Sequence, residues 1–397
     1  MKYIGVEIDM NGAKSNNTTI FSIIKEELRD IVSDSGAMLL LLFAMLIYTI
    51  IYSAAYGREV VECVPIAVVD DDKSPMSRKI ISGLRSGPNT HLAYEPTDMN
   101  SARELYFDRK VGAIVYIPDS FERDVTAGVQ GNIALILDGS HLLIYRQALE
   151  QATADILTRS AEIEIMHLAA AGESDIMAEA IAEPVAYDGH ILYNPSLGYG
   201  SFVMPSIVVV IIQQTLIIGL AMLAVRRRNM GINSRGVTLL YATKIIATKT
   251  MIYIAIYGIN LIIILGIIWP IFGFPSTGNI FSIAVIMLLY ITAACSLGLT
   301  LSHLFRRREA PLMLLLWSSV PILLLAGISY PHEAFPEWLY ILGHALPSSS
   351  AVNAFVMVNT AGASLADVEH NIWLLALLAA LYFVCAIIAE KVAADST

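Results

Sequence analysis

The residue types able to do chemistry are sparse in this chain, and their spacing excludes most reactions. No Gly-x-x-x-x-Gly-Lys-Ser/Thr run occurs, and the nearest approach, Gly12-Ala-Lys-Ser15, lacks both the upstream glycine and a preceding strand, so a phosphate-cradling loop is not predicted. There is no His-Glu-x-x-His and no Gly-x-Ser-x-Gly elbow, and no two carboxylates stand out as an acid–base pair. The three cysteines, Cys63, Cys295 and Cys385, form no Cys-x-x-Cys or Cys/His cluster, so neither metal nor disulfide is expected and they read as small buried hydrophobes. Asp70, Asp71 and Asp72 could bind a cation, but three aspartates at the end of a β-branched run are more simply a solvated strand end. No catalytic residue and no metal site is predicted. What remains are polar groups in apolar surroundings: Gln213, Gln214 and Asn260 inside long hydrophobic stretches, and the triplets Arg226–Arg228 and Arg306–Arg308 at the ends of such stretches. Buried amides in a bilayer must face protein or a cavity, which makes the three amides candidates for interhelical hydrogen bonding or for lining a pathway.

The elements that hold these groups follow from a strong partition. Of the 397 residues 56% are hydrophobic and 15% charged, which excludes an ordinary soluble protein. Residues 36–56 carry no charge and, at about 1.5 Å per residue, reach across a hydrocarbon core of about 30 Å. This run begins some 36 residues in and lacks a small-residue cleavage site, so it reads as a retained anchor. Further spans are predicted at about 201–225, 245–269, 279–303, 310–329 and 371–390. The net charge of -10 sits in the polar block between the first two spans, where Arg58–Gly200 holds 22 of the 35 acidic and 11 of the 25 basic residues. Such an acidic surface argues against nucleic-acid binding.

The expected fold class is therefore a polytopic α-helical membrane protein of six transmembrane helices with an inserted extracytoplasmic α/β domain. Residues 1–19 form a flexible N-terminus, 20–35 an amphipathic interfacial helix and 36–56 the first span. Residues 57–200 form the α/β domain, with strands at 64–70, 111–117 and 132–138 and helices at about 75–86, 98–109, 119–127 and 141–171. Residues 201–397 supply the other five spans. Basic loops at 226–244 and 306–308, against a connection from Tyr330 to His370 without any Lys or Arg, place both termini in the cytoplasm and the α/β domain outside. Residues 331–360 are too apolar for a free loop and too broken by Pro336, Pro347 and Ser348-Ser-Ser350 to span, so two short helices dipping back into the membrane are predicted, either as an outer gate or as a cap on the bundle.

The order of several short motifs carries a resemblance. Pro65-Ile-Ala-Val-Val-Asp70, Tyr193-Asn-Pro195, Phe272-Gly-Phe-Pro-Ser276, the run from Leu304 through Gly327, Tyr330, Pro331, Pro336 and Trp338, then Pro347 and Asn359-Thr-Ala-Gly362, together touch the chain from about residue 20 to 390. In this the sequence resembles the permease subunits of ABC-2 type exporters, in the bacterial branch with a large domain between spans one and two. The resemblance implies a pathway formed with a second permease, identical or related, in the bacterial cytoplasmic membrane, driven by a separate cytosolic ABC ATPase that binds ATP and Mg while this chain binds no cofactor. It also implies efflux of an amphiphilic or lipid-like substrate, with a periplasmic adaptor and outer-membrane channel as further partners. ATPase contacts fall on the helix at 20–34 through Lys25, Glu26, Glu27 and Arg29, and on the loop at 226–244 through Arg226, Arg227, Arg228 and Gly231. That loop departs from the family by keeping only its basic start and its glycine. The rival reading, an envelope structural or sensory protein whose outer domain binds a ligand or partner, leaves six spans and the absent signalling domain without a purpose.

Overall fold

The computed structural model describes residues 19–57, 59, 63–172, 174–182, 190–195, 197–231 and 237–395. The expectation of a flexible N-terminus at 1–19 falls almost wholly outside the described residues. The chain forms two compact units, one from residues 1–59 with 191–397 and the other from 60–190.

The first unit is helical. An amphipathic helix, Ile20–Ser33, ends at Asp34, whose carboxylate accepts from the amides of Gly36 and Ala37 and so caps the next helix, Ser35–Tyr56. Satisfying these first N–H groups is what lets a helix begin at a bilayer boundary. Four more helices are long and apolar enough to cross a membrane: Tyr199–Asn229, Leu239–Phe272, Ile280–Ser302 and Glu369–Asp395. Tyr199–Asn229, the second span, is the most enclosed of them; the first span and Ile280–Ser302 pack directly on it, and Glu369–Asp395 packs on Ile280–Ser302. The stretch expected as the fifth span is helical only over Ala310–Leu325, because Gly327 adopts a left-handed conformation (φ 78°) and breaks the ladder two residues later. Its 16 residues reach about 24 Å, short of a full crossing. Beyond a short turn at His332–Ala334 come two helices, Glu337–His344 and Pro347–Asn359, bent 85° against each other at Ala345–Leu346. Among the described residues, counting this bent pair as one span gives six candidate spans, otherwise five. Where the first span ends, the Glu59 carboxylate accepts from both the amide and the hydroxyl of Ser201, and the Glu59 carbonyl accepts from the Tyr199 amide. The two chain ends of the polar insertion are thus held side by side.

The second unit is built on a four-stranded sheet of order β2-β1-β3-β4: β1 is Val64–Asp70, β2 Thr90–Tyr94, β3 Ala113–Ile117 and β4 Ala134–Leu137. β1 pairs in parallel with β2 and β3, while β3 and β4 run antiparallel. Side chains alternate across β1, so Val64, Ile66 and Val68 face the helices Pro75–Ser86 and Leu142–Ala170, and Ala67 and Val69 face Met99–Phe107. Helix Pro75–Ser86 starts where the Ser74 hydroxyl accepts from the Ser77 amide and proline takes the first position. Strand β2 had no counterpart in the sequence prediction: Thr90-His-Leu-Ala-Tyr94 is an edge strand with only Leu92 packed on the sheet's main core, so its apolar pattern is too thin to recognise. At the strand ends Asp70 accepts from the Lys73 amide and the Ser77 hydroxyl, and Asp72 from the Glu122 amide. These aspartates cap turns, and no cluster among the described residues could hold a metal.

Candidate functional site

The amphipathic helix Ile20–Ser33 has three faces where its sequence pattern indicated two. Ile20, Phe21, Leu28 and Val32 are exposed apolar residues, and Lys25 and Arg29 are exposed cations. The third stripe, Ile23, Glu27 and Ile31 at successive four-residue steps, is buried against the bundle. Glu27, 1% exposed, therefore carries a carboxylate into the interior, where an uncompensated charge costs several kcal/mol. Compensation is threefold. Arg227 Nη2 lies 2.5 Å from one oxygen with Lys249 Nζ at 3.8 Å, and the Tyr253 hydroxyl donates to the other at 2.6 Å. Burial alone would push this carboxyl up, but Arg227, Lys249 and the Tyr253 hydroxyl together hold it down at about 2.

Consecutive residues at a helix end fan out by about 100° each, and the arginine triplet uses that geometry to reach three targets. Arg226 donates to the Asp30 carbonyl (3.0 Å) and the Ser33 hydroxyl (2.8 Å), at the carbonyl end of the amphipathic helix where a cation is favoured. Arg227 also binds Asp30 through Nε at 2.6 Å. Arg228 donates to the carbonyls of Ser302 (2.9 Å) and Phe305 (2.7 Å), which terminate helix Ile280–Ser302. Asp34, capping the first span, takes Arg308 at 2.5 Å and lies 3.9 Å from Arg226 Nε. His303 pairs with Glu390 at 3.4 Å on the last span. One joint of charges thus ties the amphipathic helix to the first, second and third spans and, through Arg228 and His303, to the fourth and last.

Among the residues singled out for an ATPase interface, Glu27, Arg226, Arg227 and Arg228 are turned inward into this joint. Lys25 and Arg29 are exposed, Glu26 is half-buried, and Gly231, left-handed at φ 70°, is exposed just past the end of the second span. Positions 232–236 of the adjoining loop lie outside the described residues. Sequence reasoning missed Asp34, Lys249 and Tyr253, and used Arg308, within its triplet, only to orient a loop. Asp34 was findable as an N-cap residue directly before an apolar run, and Lys249 as a lone charge inside one.

The three amides lie inside the bundle, with Gln213 0%, Gln214 9% and Asn260 5% exposed. Gln213 Oε1 accepts the amide of Ser348, where the bent pair begins its second helix, at 2.9 Å. Among the described residues, the side-chain N–H groups of all three find no protein partner. Of the residues expected in an outer gate, Pro336 caps Glu337–His344 and Pro347 opens Pro347–Asn359. Tyr330, next to Pro331, stacks on Phe335 with ring centroids 5.8 Å apart, and Trp338 is exposed. Asn359 is buried: its carbonyl accepts the amides of Thr277 and Gly278, and its Oδ1 the Ser276 hydroxyl, joining the bent pair to the connection between the third and fourth spans. Gly362 is left-handed (φ 68°) beside Thr277.

A bundle of apolar spans organised around buried polar joints is the architecture of a multi-pass membrane protein. The family described as ABC-2 family transporter protein matches residues 36–388, and the chain belongs to that family. It is 23% identical over 371 residues to the probable multidrug ABC transporter permease YbhR of Escherichia coli (strain K12), covering 91% of this chain and 95% of that protein. It is 22% identical over 347 residues to the inner membrane transport permease YhhJ of the same strain, covering 84% and 86%. The chain is accordingly a transmembrane permease subunit of an ABC transporter in an inner membrane, and family membership implies an ABC ATPase as partner.

Proposed function

We propose that this permease works as an exporter of amphiphilic small molecules or lipid-like substrates, in a pair with an identical or related permease. The supporting observation is the charged joint, which makes the amphipathic helix one mechanical piece with the second span. Force from an ATPase pressing on that helix would reach Arg226 and Arg227 without slack, because two salt bridges and two further hydrogen bonds cross the contact. In this reading the exposed face holding Lys25 and Arg29, with Glu26 beside it and Gly231 at the head of the neighbouring loop, docks the ATPase, while Glu27, Arg226, Arg227 and Arg228 position that face. ATP and Mg act on the partner chain.

The orientation has both termini in the cytoplasm, six crossings, residues 57–200 outside as an α/β domain, and the bent pair within 331–360 as a re-entrant outer gate. Gln213, Gln214 and Asn260 line or brace the path between joint and gate. The word multidrug in the name of one relative supports a small-molecule substrate. An adaptor and outer-membrane channel would complete the route. The test is co-purification with the partner ATPase followed by a screen for substrate-stimulated hydrolysis. Deletion of residues 20–34 should abolish stimulation, and a complex that hydrolyses ATP and transports normally without them sinks the coupling mechanism.

A further inference from the structure

His332 is buried, 5% exposed, in the turn that connects helix Ala310–Leu325 to the bent pair. Its Nε2 lies 2.8 Å from the carbonyl of Leu325, and its Nδ1 lies 3.0 Å from the Asn353 side-chain nitrogen. A carbonyl oxygen only accepts, so Nε2 carries the proton. The Asn353 amide then donates to a bare Nδ1, and the ring is neutral. The same Leu325 carbonyl accepts the Ser349 hydroxyl at 2.9 Å, and Ser349 and Asn353 stand four residues apart on one face of Pro347–Asn359. One imidazole and one hydroxyl therefore fasten the connecting turn and the second helix of the bent pair, together the hairpin, to a single backbone oxygen. The surrounding glycines allow this close approach. A Cβ at Gly327 would come 2.7 Å from the His332 ring, and one at Gly343 would come 3.2 Å from the Leu325 oxygen.

Protonation would place an N–H at Nδ1 against the N–H of Asn353. Of the helices that bond to this ring, neither Ala310–Leu325 nor Pro347–Asn359 contains a titratable residue to compensate. The remaining groups nearby are Tyr330 and Glu333 around the turn, Glu337, Tyr340 and His344 on the first short helix, and Glu369 and His370 at the start of the last span. The three carboxylates are exposed. The His344 ring lies 5.4 Å from the His332 ring, tilted by 57° against it, and within electrostatic reach of His370, so imidazoles rather than carboxylates crowd this site.

We propose that His332 is the positioning residue of the hairpin, a latch that holds it closed when neutral and releases it when the face of the membrane it occupies turns acid. The latch rests on the reading of the bent pair as a gate.

The test is backbone hydrogen–deuterium exchange over residues 326–346 of the full-length permease in nanodiscs at about pH 8 and about pH 5, corrected for intrinsic exchange. In the wild type, exchange in acid should rise roughly fivefold, what losing one net hydrogen bond gives. His332→Gln keeps a donor for Leu325 without titrating, and Asn353→Asp supplies an acceptor for the protonated ring. Both should hold the segment closed at both pH values. An acid response that is absent in the wild type, or that survives in both variants, overturns the latch. If exchange responds as described while transport by the reconstituted complex ignores pH on that face, the latch stands and the gate reading fails.

Discussion

The charged joint and the hairpin latch are both buried polar constructions in the same helical unit, and they are made of opposite materials. The joint pairs three carboxylates, Glu27, Asp30 and Asp34, with four cations, Arg226, Arg227, Lys249 and Arg308, and adds a tyrosine hydroxyl, so Glu27, Asp34 and Arg227 each have more than one partner. The latch uses neutral groups meeting on one carbonyl oxygen, with a single imidazole in the middle. Redundant charge pairs resist small perturbations because no one contact carries the geometry, whereas a neutral hydrogen-bonded centre can be switched by one proton. The difference suits a machine in which one end must transmit force and the other must let go.

The largest expected effect is at the joint. Arg227→Ala leaves Glu27 buried with only Lys249 at 3.8 Å and the Tyr253 hydroxyl, which should cost about 3 kcal/mol of stability, measured as a fall in the thermal or denaturant midpoint in detergent. Glu27→Leu combined with Arg227→Leu should recover much of that loss while leaving transport impaired, since the packing returns and the link to the helix does not. A double-mutant cycle in which the two single losses simply add would show that the joint is not a unit. Next comes Gly327→Ala, which forces a left-handed residue and drives a methyl into the His332 ring; a loss of about 2 kcal/mol is expected, confined in hydrogen exchange to the hairpin.

Much of this was written in the sequence, and what was missing was the long-range pairing. The arginine triplet, the amphipathic helix and the amides were visible because each is a local anomaly. Glu27 was assigned with Lys25 and Arg29 to a solvated face, yet it belongs to the buried stripe with Ile23 and Ile31. A carboxylate can occupy that stripe only because Arg227, Lys249 and Tyr253 arrive from some two hundred residues away, which no local pattern reveals. His332 drew no notice for a related reason, since its meaning comes from Leu325 and Asn353 on two other helices. The fifth apolar stretch read as a full span because hydropathy continues through 326–329, while the left-handed Gly327 ends the helix there.

The smallest effect separates the two regions by pH. Glu27 has a folded value of about 2, below that of an unfolded carboxylate near 4.3, so its stabilisation is complete above the unfolded value and disappears only as pH falls towards about 2. Between about pH 8 and about pH 5 the Glu27 contacts should therefore be indifferent to acid, whereas the proposed latch is the part that answers to it. Hydrogen exchange over residues 20–34, followed in the same experiment as 326–346, should show no change after intrinsic correction. An equal acid response at both ends would mean that the bundle loosens as a whole. A response at the hairpin alone would mean that the two ends of the permease answer to different signals, the helix 20–34 to its partner and the hairpin to the medium it faces.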